Sequence, residues 1–387
     1  MLKGVNIALG ITGSIAAVKV VELVHEFRRK GANVKGIITP NATNIIHPWA
    51  VEYATENEII KGITGRVEHI ELCGENGWAD VLVIAPATAN TIGKMAASID
   101  DTCVTTCVTT AIGSKIPIVV APAMHEPMAK HPGIIEAQEK LKLWGVNFAE
   151  PVMEEGKAKI ADIDTIVVEV ERAIDLKPLQ GKHIIVTSGA THEKIDPVRM
   201  ITNCSSGKTG EGVAIGCYIK GAKVSLVHNG GDIPYINTYQ VENVEEMIEN
   251  VINLSKEADG LISAAAIADY GTEPSKEKLK SGAEEIQLKL HRKPKLLDII
   301  RKKFPDLVII GFKAEVEEDR NLVIERSREL LNRARLSFVV ANNANVIGLE
   351  KTRVEIVRRD SILEREGSKR EIGLEIAEEL SKEIKSQ

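Results

Sequence analysis

This sequence predicts an α/β protein made of two consecutive parallel-sheet domains, and three observations carry that prediction. At 387 residues the chain is longer than one compact core accommodates. Short β-branched apolar runs alternate with helical patterns, the signature of βαβ units. The rhythm also restarts after a Pro- and Gly-bearing stretch, Leu176 to Gly181 (LKPLQG).

The elements follow in order. In the first part, NIAL (6–9) is a strand, Ser14 to Lys30 a dense apolar helix, and NVKGII (33–38), VLVIA (81–85) and PIVVA (117–121) further strands. Runs apolar on both faces fit a parallel sheet covered by helices. The second part repeats the pattern with HIIVT (183–187), a helix through 210–220, KVSLV (223–227), a helix near 244–257, GLISA (260–264), LVIIGF (307–312) and FVVA (338–341). EIQLKL (285–290) alternates strictly and predicts an antiparallel edge ribbon. The succession reads as two tandem Rossmann-like parallel-sheet domains, 1–178 and 179–387. Charge is denser in the second, and Trp49, Trp78 and Trp144 all fall in the first.

Composition narrows the function classes. Hydrophobic residues make up 44% and charged residues 27%, ordinary globular values. No run reaches the roughly 20 apolar residues that span a bilayer, and the apolar N-terminus leads into Gly-rich sequence rather than a cleavage site. We therefore expect a cytoplasmic protein with no membrane partner. Cys73, Cys103, Cys107, Cys204 and Cys217 show no CxxC spacing, which argues against disulfides and a zinc ribbon, so no protein-held metal is expected. A net charge of −6 without a basic stripe argues against nucleic acid.

Chemistry in open α/β sheets sits beyond the carboxyl ends of the strands. There the first part carries GITGSIAA (10–17), TPNAT (39–43), PATANT (86–91) and PAMHEPM (122–128). Gly10, Gly13 and Ser14 open a helix whose N–H groups favour a phosphate, although a Ser N-cap in a tight turn reads equally well. The Gly10-x-x-Gly13 spacing is not GxGxxG, and no carboxylate closes the second strand at Thr39, so a mononucleotide fits better than a dinucleotide. His69 is a candidate proton shuttle, since imidazole as a side-chain type suits proton transfer, although a lone His is more often structural.

These motifs, with EHIEL around His69, resemble the flavin-dependent cysteine decarboxylase family, the phosphopantothenoylcysteine decarboxylases in particular, over nearly all of residues 4–175. The resemblance implies a flavodoxin-like flavoprotein domain. It implies FMN held by Gly13, Ser14 and Thr39, by Pro86, Thr88 and Asn90, and by Thr105, with His69 as catalytic base and Met124 and His125 on the substrate. In that family oxidation of the cysteine thiol makes CO₂ loss feasible, because a thiocarbonyl delocalises the electron pair left behind. Two departures stand out. His125 occupies a position where many members have Asn. The flap stretch 146–162 lacks the usual cysteine, which leaves the last proton donor unassigned, and Cys73 is not assigned to that role.

ITNCSSGKTG (201–210) tempts a P-loop reading, but the required Gly falls on Thr202, and Asp196, Pro197 and Arg199 replace the upstream strand. Read locally, Ser205 to Lys208 leads into a helix as a capped turn with a solvated lysine, or as a phosphate seat. The full string DPVRMITNCSSGKTG resembles the phosphopantothenate-cysteine ligase family. SAAAIADY (263–270), KEKLKSG (276–282), RKPKLL (292–297) and GFKAE (311–315) extend the likeness over about 181–385. It implies a ligase domain with a small antiparallel flap and a reaction in which 4′-phosphopantothenate attacks the α-phosphate of CTP and cysteine then displaces CMP. Asn203 would orient the acyl intermediate, and Lys278, with Lys280, would neutralise phosphate charge. Ser205, Ser206 and Lys208 would hold substrate phosphate, with Mg²⁺ bridging phosphate oxygens. Ser263, Ala265, Asp269, Pro294, Lys295, Leu296, Leu297 and Phe312 fall on nucleotide positions. Thr202, Thr209 and Ser281 depart from the motif, and Leu330 and Ala334 stand where bacterial members place two lysines. Arg328, Arg333 and Arg335 lie close by, so CTP and ATP both stay open.

Together the resemblances imply a bifunctional enzyme of coenzyme A synthesis acting on small molecules. They also imply homo-oligomers, with trimeric decarboxylase and dimeric ligase contacts that combine into a dodecamer if both hold. A flavoprotein binding or regulatory module with one inactive domain is the alternative. A nicotinamide-dependent oxidoreductase is disfavoured by the missing fingerprint.

Overall fold

The computed structural model describes residues 2–154, 157–280, 285–315, 319–343 and 351–385. It divides into two compact units, Met1–Asp175 and Leu176–Gln387.

The first unit is built on five parallel strands in the spatial order Asn33–Ile38, Asn6–Ile11, Val81–Ala87, Ile118–Pro122, Asn147–Phe148. This is the 2-1-3-4-5 order of flavodoxin-like sheets, whose ligand crevice opens between the first and third strands. Both faces are covered, as the apolar runs require. Ile7, Leu9 and Ile11 pack with Phe27 of the Val20–Arg29 helix on one side, while Ala8, Leu82 and Ile84 pack with Val104 and Cys107 on the other. The helix predicted from Ser14 begins as a 3₁₀ turn, Ile15–Lys19, and becomes α-helical only at Val20.

The second unit has an eight-stranded sheet. Six parallel strands run Asn237–Gln240, Lys223–His228, His183–Thr187, Gly260–Ser263, Val308–Glu315, Phe338–Asn343. That is the 3-2-1-4-5-6 order of dinucleotide folds, with its switch point between His183–Thr187 and Gly260–Ser263. Lys351–Val357 and Ile362–Ser368 add two antiparallel strands at the far edge. These two were not predicted, although the signal existed: Thr352, Val354 and Ile356 are buried and alternate with charged neighbours.

One sequence expectation is corrected. EIQLKL forms no strand; the only ladder beside it joins Tyr270–Gly271 to His291–Arg292 among the described residues. Alternation specifies a strand where one face is buried. Here Ile286, Leu288 and Leu290 remain 49%, 44% and 48% exposed, so nothing holds the register.

Candidate active sites

In the first unit the switch-point loops are tied together by Thr12, a residue the sequence reading passed over. Its hydroxyl donates to the Pro86 carbonyl at 2.7 Å and accepts from the Thr88 amide at 3.1 Å. Thr39 closes the adjacent loop through its amide, 3.0 Å from the Ile11 carbonyl. Gly13 must be glycine, because a Cβ there would lie 2.8 Å from the Asn41 Cβ. Ser14 caps the 3₁₀ turn and Thr88 caps the Ala89–Ala97 helix, with exposed Asn90 in its first turn. Thr105 is buried, and its hydroxyl is spent in a capping box with Thr102.

His69 lies on the short Glu68–Cys73 helix, which Thr64 anchors. The Thr64 hydroxyl and amide hold the Glu68 carboxyl down at about 2, so it stays an anion at the start of this helix. The His69 Nδ1 is buried without a hydrogen-bond partner among the described residues. An orphaned ring nitrogen of this kind needs an explanation, and a ligand group supplies one. The close-packed glycine turn, the hydroxyl-framed loops and this nitrogen fit a flat, phosphate-bearing cofactor. Cys73 sits behind His69 in the core with Cys103 and Cys107. The Cys73–Cys107 contact and burial push the Cys107 thiol far up, and burial raises Cys103. These three thiols are packing groups. Met124 is partly buried and packs on the core, and exposed His125 follows it. The two pair with Ala158 and Lys157 of a hairpin formed by Val152–Glu154 and Lys157–Lys159. The hairpin falls in the flap stretch; residues 155 and 156 of that stretch lie outside the described set.

At the switch point of the second unit the chain forms a cleft of about 540 Å³. Its floor is laced by backbone and hydroxyl groups. Buried Thr187 accepts from the Ala265 amide, Thr191 accepts from the Ala268 amide, and the Ala266 amide donates to the Gly189 carbonyl. The Asn203 side chain donates to the Ala266 carbonyl at 3.0 Å, which anchors its amide on the cleft wall. The Ser205–Gly207 turn then enters the Lys208–Ile219 helix through Gly207 at φ 72°. Ser188 locks this turn by donating to the Gly207 carbonyl at 2.7 Å. It leaves no room for a side chain at 210, where a Cβ would meet its Oγ at 2.4 Å.

The predicted residues Asn203, Ser205, Ser206, Ser263, Ala265, Asp269, Pro294, Lys295, Leu296, Leu297 and Phe312 all line this one cleft. Asp269 and Lys295 are ion-paired across it. Lys208, Lys278 and Lys280 are exposed and outside the lining. The reason for the latter two is a tether. Buried Asp196 accepts from the amides of Val198 and Arg199 at 2.8 Å and of Leu279 at 3.1 Å, and Arg199 donates to the Leu279 carbonyl. Although burial opposes it, those N–H donors and Arg199 keep the Asp196 carboxyl below its usual range. Ser281 lies outside the described residues.

Other cations line the cleft instead. Arg333 reaches it from the Arg320–Ala334 helix beside Leu330 and pairs with Asp298 at 3.6 Å, whereas Ala334 is buried and the Arg335 carbonyl accepts from Arg301. Lys313, the lysine of GFKAE, pairs with Glu315 at 2.9 Å. Lys369 enters from the C-terminal helix. Cys204 is the exposed cysteine of the five, and it also lines the cleft.

Residues 1–175 match the Flavoprotein family, and residues 179–386 match the DNA/pantothenate metabolism flavoprotein C-terminal domain. The chain is 45% identical over 365 residues to the coenzyme A biosynthesis bifunctional protein CoaBC of Thermococcus kodakarensis, covering 93% of this chain and 90% of the relative. The chain belongs to the CoaBC family. The CoaBC protein of Methanocaldococcus jannaschii is 39% identical over 394 residues, covering 100% of this chain and 96% of that one. A crystal structure of the C-terminal domain of a CoaBC protein shares 30% identity at a TM-score of 0.46, covering 55% of this chain and 100% of that one. As a CoaBC protein this is a bifunctional enzyme of coenzyme A biosynthesis, a flavoprotein decarboxylase joined to a phosphopantothenate-cysteine ligase. No helix among the described residues is long and apolar enough to cross a membrane.

Proposed function

We propose that the second-unit cleft ligates cysteine to 4′-phosphopantothenate at the expense of CTP, and that the first unit decarboxylates the product with FMN. The observation that carries the ligation is one cleft lined together by Asn203, the Ser205–Gly207 turn, Asp269, Lys295 and Phe312. A carboxylate is a poor electrophile. Its oxygen attacks the α-phosphorus, pyrophosphate leaves, and the cysteine amine then adds to the acyl carbon and expels CMP. Asn203, held through its amide nitrogen, orients the acyl cytidylate for that attack. Lys313 and Arg333 offset the phosphate charge, with Mg²⁺ on the phosphate oxygens. Lys278 and Lys280 join once their loop swings from its Asp196 tether.

In the first unit, Gly13, Ser14, Thr39, Pro86, Thr88 and Asn90 hold FMN; the hydroxyl of Thr105, spent in its capping box, contributes through the fold of its helix. Bound there, FMN supplies the two-electron acceptor for the substrate thiol. His69 takes up a substrate proton, and Met124 and His125 bound the substrate under the hairpin. Exposed Ile15, Trp49 and Tyr53 support homo-oligomeric contacts around this unit, and we place the protein in the cytoplasm.

The test supplies the purified chain with 4′-phosphopantothenate, cysteine, Mg²⁺ and CTP or ATP. Phosphopantothenoylcysteine, CMP and 4′-phosphopantetheine are expected with CTP, from a yellow protein. Product with ATP alone would overturn the nucleotide assignment, and no amide product with either would overturn the ligation.

A further inference from the structure

The ligase motif ends its charged contribution at Lys208, but a second lysine from the far end of the chain arrives at the same place. Lys369 is the first residue of the Lys369–Lys385 helix, is partly buried, and lines the ligation cleft with the Ser205–Gly207 turn. Its position is fixed by backbone contact between two helices. A Cβ at Gly212 would lie 2.4 Å from the Lys369 carbonyl oxygen, and one at Gly373 would lie 2.1 Å from the Gly212 carbonyl oxygen. Only glycine at both places lets the helices touch, so Lys369 is held at the start of the Lys208–Ile219 helix and not on a mobile arm.

The local charge is unbalanced. Glu211 is the half-buried carboxylate of this corner; burial raises its pKa, and Lys208 and Lys369 are the cations that oppose the rise. The ammonium of Lys369 is itself lowered, by burial first and then by the charge of Lys208. Among the described residues Lys369 makes no direct ion pair. Two ammonium groups therefore share one carboxylate at the mouth of a hydroxyl-lined turn, which leaves a positive charge for an incoming anion to complement.

We propose that Lys369 binds a phosphate group of a substrate in the ligation cleft. That group is carried either by the nucleoside triphosphate or by 4′-phosphopantothenate. The proposal rests on the reading of this cleft as the ligation site, and it adds a residue from outside the motif to it.

The experiment titrates the full chain, wild type and K369M, with CTP and separately with 4′-phosphopantothenate. Binding needs no turnover, so a wild type that binds both but forms no product would overturn the ligation reading alone. K369M is expected to weaken one of the two ligands by about tenfold or more, the size of one charge-assisted contact. The weakened ligand identifies the source of the phosphate. K369R is expected to restore binding to within about threefold of wild type. Steady-state assays are expected to show the same effect as a rise in KM for that ligand, with decarboxylation of added phosphopantothenoylcysteine unchanged as the sign of a folded chain. Unchanged affinity for both ligands in a folded K369M would overturn the proposal, as would equal weakening of both that Arg fails to rescue.

Discussion

The ligase unit wraps its cleft in its own chain, whereas the flavoprotein unit leaves its strand ends beside exposed apolar side chains. In the ligase unit, strand-end loops and residues of four helices, Lys208–Ile219, Leu296–Lys303, Arg320–Ala334 and Lys369–Lys385, converge on about 540 Å³. In the flavoprotein unit, Ile15 next to Ser14 is 77% exposed, and Trp49 and Tyr53 on the Pro48–Thr55 helix are 72% and 79% exposed. The sheet orders explain part of this. The eight-stranded sheet has three strands on one side of its switch point and five on the other to supply walls; the 2-1-3-4-5 sheet has only two on its shorter side. A site short of walls is one that a neighbouring subunit can complete. The difference teaches that sites on similar scaffolds need not be equally self-contained.

Several substitutions would sharpen or break this division of labour. The largest effects are expected at the chemistry itself. His69→Asn should cut CO₂ release by about two orders of magnitude or more while sparing amide formation. Asn203→Asp should let the acyl nucleotide accumulate while decarboxylation of added phosphopantothenoylcysteine continues. Product analysis of both variants with isotopically labelled cysteine decides, and equal loss of both activities in either would contradict the separation.

Next in size is a chemical probe. Iodoacetamide should modify Cys204 first, because the other four cysteines are buried. Ligation should fall with the modification and decarboxylation should not, and nucleotide should protect. Peptide mapping that found Cys73, Cys103 or Cys107 labelled first would count against the packing described for the first unit.

Gly210→Ala pushes a methyl toward the Ser188 hydroxyl, 2.4 Å away. A cost of about 1–3 kcal/mol is expected, confined to the ligase unit and visible in thermal unfolding followed by hydrogen exchange. The smallest effect concerns pH. Because the folded-state pKa of Asp196 is depressed, its tether stabilises the fold above the ordinary Asp value of about 3.9 and is lost as pH falls below it. The melting temperature of wild type should therefore exceed that of Asp196→Asn at pH 6, with the gap narrowing as the pH is lowered through the depressed Asp196 pKa.

How much of this was legible beforehand differs by residue. The strands His183–Thr187 and Val81–Ala87 were plain, because apolar runs buried on both faces need no partner to be recognised. EIQLKL carried the right alternation for a strand and formed none, since register needs a buried face that only the rest of the chain can provide. Thr12 was invisible because one threonine in a Gly-rich turn carries no signal until Pro86 is known to sit opposite. Lys369 was invisible for the same reason at a greater sequence distance.

The sequence by itself determined the two-domain α/β plan, the seam near Leu176, and the motif residues from Asn203 to Phe312, because these depend on periodicity and local turn chemistry. Only the tertiary structure decided which of them meet. It drew Asp269 onto Lys295, held the Lys278 loop back on Asp196, and brought Lys369 to the helix that begins at Lys208. Those juxtapositions depend on strand order and on glycine-mediated helix contact, quantities that arise from packing the whole chain and are written in no local stretch of it.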